Sequence, residues 1–255
     1  MVLRLAVVLL ILAQVQGCAI PPSVLTLTPE EAGEARDLLT RFTTLERPVA
    51  LDADVHLSWE TLTGTQSVDA TVQAVLPDKL RLSLLDPLGR PFFILASDGT
   101  TYRALDISEA IIHTGTVASG SWQEYFPVDI PAELLVSTML GTLCQEQTEL
   151  TPAGRDQAGN YWYDGRSSGQ DVRVLLDRHS ARLKTLQLPK QKGMEMRYTG
   201  EITGAGGQLF PRQIEVDMSG ALRLVFQHIY PINGPFGATV FQPEAPAHFR
   251  EEKRR

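Results

Sequence analysis

The chain has 255 residues and a formal net charge of −7, long enough for one large β domain or two small ones. An acidic chain whose one basic cluster, Arg250 to Arg255, is offset by Glu251 and Glu252 is a poor candidate for nucleic acid or for electrostatic binding to anionic lipid. That charged tail reads as a solvated end.

Residues 1–17 read as an export signal: one basic residue, Arg4, then an apolar run from Leu5 to Ala13 that turns polar at Gln14 and Gln16. The run is far shorter than the roughly 20 apolar residues a membrane-spanning helix needs. It ends in Val15-Gln16-Gly17-Cys18, which resembles the bacterial lipobox. That resemblance implies cleavage before Cys18, diacylglycerol on its thiol and an acyl chain on its new amino group. Several acyl chains, each contributing about 0.8 kcal/mol per buried methylene, make a stable anchor. Ala19 rather than Asp after the Cys favours the outer membrane, at its periplasmic face. Removing 17 of the 255 residues leaves 238, and loss of Arg4 takes the charge from −7 to −8. With Cys18 acylated, Cys144 is the one remaining thiol and no internal disulfide can form.

Residues 18–27, with Pro21 and Pro22, read as an extended tether, and residues 28–255 as a single domain. Thr28, Pro29, Glu30 and Glu31 have the form of an N-cap, a first-turn proline and first-turn acids. Ala35, Leu38, Leu39, Phe42 and Leu45 follow at helical spacing until Pro48.

From Val49 the period changes to two. Val55, Leu57 and Trp59 alternate, as do Val68, Ala70 and Val72, then Leu80, Leu82 and Leu84. Phe92, Ile94 and Ala96 lead into an Asp98-Gly99 turn and a strand from Thr101 to Leu105. Between about Ile107 and Leu143 the strand pattern pauses. Ser108-Glu109-Ala110 suggests a helical turn, and Pro131 to Leu140 a second helix stopped by Gly141. After a polar linker from Cys144 to Gly159, strands resume at Tyr161–Tyr163, Val172–Leu176, Leu183–Leu188, Met194–Tyr198, Gln208–Met218 and Leu222–Tyr230. The count is about eleven strands. A mainly β (α+β) fold follows: a single antiparallel sheet of that size must curl, and its apolar concave face needs the two helices as cover. This is a half-open β-barrel able to hold an apolar cavity.

The stretch Lys79-Leu80-Arg81-Leu82-Ser83-Leu84-Leu85-Asp86-Pro87-Leu88-Gly89 resembles the strand and following loop of the LolB family, outer-membrane lipoproteins that accept lipoproteins from the periplasmic carrier LolA and insert them into the membrane. Similar features follow in order: the apolar strand Phe92–Ala96, the Tyr-containing strand Thr101–Asp106, and a lid-like segment Pro127-Val128-Asp129-Ile130-Pro131 with its helix and Leu140-Gly141. The resemblance runs from Val55 to Leu143 and is thin beyond it. It implies a monomeric acceptor whose partners are a LolA-type carrier, cargo lipoproteins and the membrane, with Leu88 as the residue that touches lipid. Physically, Pro87 fixes φ and Gly89 permits a sharp reversal, leaving Leu88 at the tip of a rigid Pro87-Leu88-Gly89 loop. The residues expected to face acyl chains are Leu57, Trp59, Leu82, Leu84, Phe92 and Ile94.

Other chemistry finds little support. Gly165-Arg166-Ser167-Ser168-Gly169 matches G-x-S-x-G, but a nucleophile elbow needs a helix after the serine and Gln170–Leu176 reads as a strand. His56, His113, His179, His228 and His248 are scattered without metal-ligand spacing. Gly204, Gly206 and Gly207 lack the spacing of a phosphate loop, and Cys144 has no CxxC partner. The reading is a non-enzymatic acceptor and inserter of lipoproteins, with no cofactor or metal beyond the covalent lipid on Cys18. The alternative is a scaffold or general lipid-binding lipoprotein of the same fold without a transfer role.

Overall fold

Thr28 opens helix α1 (Pro29–Thr44) through a capping box: the Glu31 amide donates to Thr28 Oγ1 (3.2 Å) and the Thr28 amide to Glu31 Oε2 (2.8 Å). The structure, a computed structural model, describes residues 24–61, 63–125, 130–144, 148–191, 193–217 and 221–254. The export signal, Cys18 and the tether up to residue 23 therefore lie outside the described residues. Ala35, Leu38 and Phe42 form the buried stripe of α1. It packs on the strands Thr148–Arg155 and Tyr161–Ser167, where the Tyr163 hydroxyl donates to the Ala35 carbonyl (2.7 Å) and Arg155 pairs with Glu31 (2.9 Å). Tyr163 is fully buried, so Tyr163→Phe is expected to lower stability by about 1 kcal/mol. A shifted urea midpoint at unchanged m-value would register it; no shift would mean that this bond adds nothing net.

The strands are β1 (Ala50–Thr61), β2 (Gly64–Val75), β3 (Lys79–Leu85), β4 (Pro91–Ser97), β5 (Thr101–Asp106), β6 (Ile111–Thr116), β7 (Thr148–Arg155), β8 (Tyr161–Ser167), β9 (Gln170–Leu176), β10 (Leu183–Leu188), β11 (Met194–Thr203), β12 (Leu209–Asp217), β13 (Ala221–Ile229) and β14 (Arg250–Lys253). They form one sheet ordered β14-β6-β5-β4-β3-β2-β1-β13-β12-β11-β10-β9-β8-β7. Every neighbouring pair is antiparallel except β14 with β6. Two meanders thus meet where β1 pairs with β13, and the sheet curls without closing. In the β1–β2 pair each core position sets large against small: Leu51 faces Ala74, Ala53 faces Val72 and Val55 faces Ala70. Interleaved volumes of this kind fill a concave face without voids.

Topology explains the helix on that face. β6 lies beside one edge of the sheet and β7 is the other edge, so residues 117–147 must cross from one side to the other. That connection carries α2 (Ala132–Met139), whose residues are buried on nearly every side. Ser137 and Thr138 satisfy their hydroxyls locally, donating to the carbonyls of Leu134 (3.1 Å) and Leu135 (2.9 Å). Arg47 locks the ends together: it donates to Gly141 O (3.1 Å) after α2 and to Ala181 O (3.0 Å) in the β9–β10 turn, and stacks on Phe42. Burial brings its guanidinium down to about 10, still charged at neutral pH.

Among the described residues the sheet has fourteen strands rather than the eleven expected from sequence periodicity. The three additional ones share a cause: none shows alternating apolar and polar residues in its sequence. In β6 the two faces are both covered, Ile112 by the C-terminal segment and His113 by the Tyr125 ring. Here Ser108–Ala110 is a hairpin turn, not a helical one; Ala110 takes φ +53° and Asp106 accepts the Glu109 amide. β7 lies in the supposed polar linker and holds Pro152, which an edge strand tolerates. β14, in the supposed solvated tail, is Arg-Glu-Glu-Lys, a charged strand on a sheet edge.

The outer face of β3–β6 is covered by the chain after β13. A short helix α3 (Ala238–Phe241) and the residues beyond it are held by Arg81 on Val240 O (3.1 Å) and by Arg103 on Pro243 O (3.0 Å). Ala245 and Phe249 lie on a separate small cluster of Ile94, Leu105 and Ile112.

Candidate functional site

Between α2 and the sheet lies an apolar cavity of about 70 Å³. Its walls come from both meanders: Leu57 (β1), Leu82 (β3), Met196 (β11), Ile214 and Val216 (β12), and Leu222 and Leu224 (β13). Its roof is Ile130 with Leu135, Thr138 and Met139 of α2. Thr138 alone brings a polar atom, already bonded to Leu135 O. The wall offers no hydrogen bond to a ligand, so it discriminates by hydrophobicity and shape. Beneath α2, Tyr198 is buried, which pushes its phenol well above the ordinary tyrosine range.

The residues singled out in sequence divide by the pleat. Leu57 and Leu82 line the cavity. Leu84 packs, half-buried, against the same core without reaching the cavity. Trp59 is 37% exposed and pairs across strands with Leu222, placing it beside the cavity wall. Phe92 and Ile94 are corrections: on β4 it is Phe93 and Leu95 that join the main core, while Ile94 packs under the C-terminal segment and Phe92 is 37% exposed. A strand hydrophobic on both faces carries no parity in its sequence, and here the opposite parity is inside. Sequence reasoning missed Met196, Ile214, Val216, Leu222 and Leu224. Their alternation was visible, but only the pairing of β13 with β1 brings them to the cavity.

The β3–β4 loop is built around one carboxylate. Asp86 Oδ1 accepts the amides of Leu88 (2.8 Å) and Arg90 (3.0 Å), and its Oδ2 takes both Nε and Nη2 of Arg90 (2.8 and 2.7 Å). Gly89 sits at φ +76°, a region that favours glycine. Nothing covers Leu88, which is 76% exposed at the tip. The Arg90 amide, followed by its guanidinium, holds the Asp86 carboxyl below the usual carboxylate range. A depressed folded-state value means the loop's support is complete above the ordinary Asp pKa of about 3.9 and fades as pH falls through the lower folded value. Protection of the Leu88 and Arg90 amides, taken relative to their intrinsic exchange rates at each pH, is therefore expected to fall only at strongly acid pH; a fall near pH 6 in an NMR exchange series would contradict this.

Strand directions place this loop. Counting antiparallel steps from β3 through β1 to β12, the β3–β4 loop, the end of β1 and the β12–β13 connection share one rim. Val216 and Leu222, a pair next to that connection, put the cavity in the half of the sheet toward the rim that carries Leu88.

Ser167 of the G-x-S-x-G match is fully buried in a strand–turn–strand hairpin, its hydroxyl 2.8 Å from Thr148 Oγ1. Among the described residues no group of three or more His, Cys, Asp or Glu side chains could hold a metal ion, and no helix is long and apolar enough to cross a membrane.

No protein-family model matches the chain, and no curated protein matches it. Solved structures do share its fold. A domain from Vibrio parahaemolyticus named for outer membrane lipoprotein sorting superposes with a TM-score of 0.59 at 10% identity, over 83% of this chain and 96% of that one. A LolA superfamily protein from Nitrosomonas europaea gives 0.55 at 10% identity, over 81% and 96%. A DUF1329 family protein from Desulfovibrio piger gives 0.61 at 8% identity, over 82% and 97%. The curled, unclosed sheet of this chain therefore shares its fold with these three structures.

Proposed function

We propose that this protein is a lipid-anchored acceptor of acyl chains, taking lipoproteins from a LolA-type periplasmic carrier into the cavity under α2 and releasing them to the outer membrane. The observation that carries the reading is the pairing of an apolar cavity without hydrogen-bonding capacity and a rigid loop presenting one exposed leucine on the same rim. Acyl chains need nothing but exclusion from water, and a leucine held in solvent gains about 1.5 to 3 kcal/mol on entering lipid. Transfer then requires only a difference in affinity between two apolar environments. The lipoprotein-sorting name of one structural neighbour and the lipobox-like sequence ending at Cys18 point the same way.

The cavity of about 70 Å³ is small beside the 300–1,000 Å³ of common ligand pockets, so cargo must displace α2 as it enters. That smallness also favours the second reading, a scaffold of the same fold whose cavity stays shut. Titrating the chain from Ala19 onward with a fluorescent palmitoyl probe separates them. Saturable binding that is lost in cavity variants supports the acceptor; no binding at concentrations below probe aggregation supports the scaffold. The buried Ser167 makes a separate prediction: Ser167→Ala should cost about 1 kcal/mol of stability and leave background hydrolysis across an ester panel unchanged, whereas loss of a measurable esterase activity would make it a nucleophile.

A further inference from the structure

The domain is fastened at the end opposite its exposed leucine. Leu25, just inside the described chain, forms a two-way bridge to the sheet: its amide donates to Arg155 O (2.9 Å) and Arg155 donates back to Leu25 O (3.0 Å). Val24 lies so close that a Cβ at Gly154 would stand 2.3 Å from its Cγ1. The chain leading to the membrane is thus stapled to the last residues of β7, beside the turn at 156–160. By the alternation of strand directions, that turn belongs to the rim opposite Leu88.

The tether is short compared with that separation. The seven residue steps from Cys18 to Leu25 reach at most about 24 Å when fully extended. Nine strand steps separate β7 from β3, roughly 43 Å of sheet at about 4.8 Å per step. Curling shortens the straight line, but the opposite rims add the length of the strands.

Resting on the reading that Cys18 is acylated, we propose that the short stapled tether holds the 156–160 rim against the anchoring bilayer and points Leu88 away from it into the periplasm. Leu88 reaches that bilayer only when the whole domain tips so that its strands lie along the surface. Tether length, not loop chemistry, then sets how often an anchored molecule makes its delivery contact.

The test uses the full acylated chain with Cys144→Ser, added to the outside of preformed phosphatidylethanolamine–phosphatidylglycerol vesicles that carry a headgroup energy acceptor. A donor dye is placed at Ala158→Cys, in the tethered rim, or at Ser108→Cys, in the Leu88 rim; both positions are exposed. Energy transfer is expected to be severalfold higher from position 158, and a flexible Gly/Ser insert of about twenty residues between Pro22 and Ser23 should abolish the difference. Equal or higher transfer from position 108 with the native tether overturns the orientation. A difference that survives the insert overturns the tether as its cause. Protein whose mass shows no acyl chains on Cys18 overturns the anchoring and this proposal together, an outcome distinguishable from the other two.

Discussion

Leu88→Glu is expected to slow delivery of bound lipoprotein into vesicles by at least about tenfold while leaving uptake unchanged. The side chain is 76% exposed and makes no packing contribution to the core, and the loop's conformation comes from Asp86 and Gly89 rather than from Leu88. Folding therefore has little stake in the substitution. Delivery does, because the leucine's transfer into lipid is worth about 1.5 to 3 kcal/mol, and 1.4 kcal/mol is a factor of ten. Glutamate removes that gain and adds the cost of bringing a carboxylate to hydrocarbon. Using the chain from Ala19 onward keeps the lipid anchor out of the comparison. Uptake from a loaded carrier and release to liposomes are measured separately; release at the unsubstituted rate would remove Leu88 from the mechanism.

Val216→Phe is expected to suppress uptake itself. Val216 faces the cavity from β12 opposite α2, and the added ring carbons would project into that narrow space. Overfilling a packed site costs about 1 to 3 kcal/mol, so the variant should melt earlier yet remain folded by circular dichroism. Palmitoyl-probe affinity should fall by tenfold or more. Since Phe enlarges the apolar wall, a scaffold with incidental surface binding would show unchanged or tighter binding, and that result would move the ligand out of this cavity. Ile94→Phe on the outer face is the matched control, expected to spare binding.

The sequence announces local pattern well and partnership poorly. α1 is readable to within a residue because the Thr28–Glu31 capping box and the Ala35, Leu38, Phe42 spacing are local signals. The strands β1 to β3 are readable from alternating apolar and polar residues, and β4 and β5 from apolar runs bounded by turn residues such as Asp98-Gly99. β6, β7 and β14 are not, since a doubly covered strand, a proline-bearing edge and a charged edge all lack period two. Which face of β4 turns inward depends on neighbours, so the expected Phe92 and Ile94 differ in parity from the observed Phe93 and Leu95. Half of the cavity wall depends on β13 pairing with β1, a contact between residues more than 160 positions apart, which no local pattern encodes. Leu88 stands out because a Pro-Leu-Gly loop is self-contained: its shape is set by Asp86, Pro87 and Gly89, all within the same few residues.

An acceptor is defined by its receipt of acyl chains from a carrier. The most direct measurement mixes the chain from Ala19 onward with a LolA-type carrier loaded with an acylated lipoprotein and follows where the lipoprotein migrates after the two are separated. Transfer of most of the cargo to this protein, reduced in Val216→Phe and intact in Leu88→Glu, is the predicted result. Cargo that stays on the carrier at excess acceptor would contradict the account and leave a fold of this kind without a transfer role.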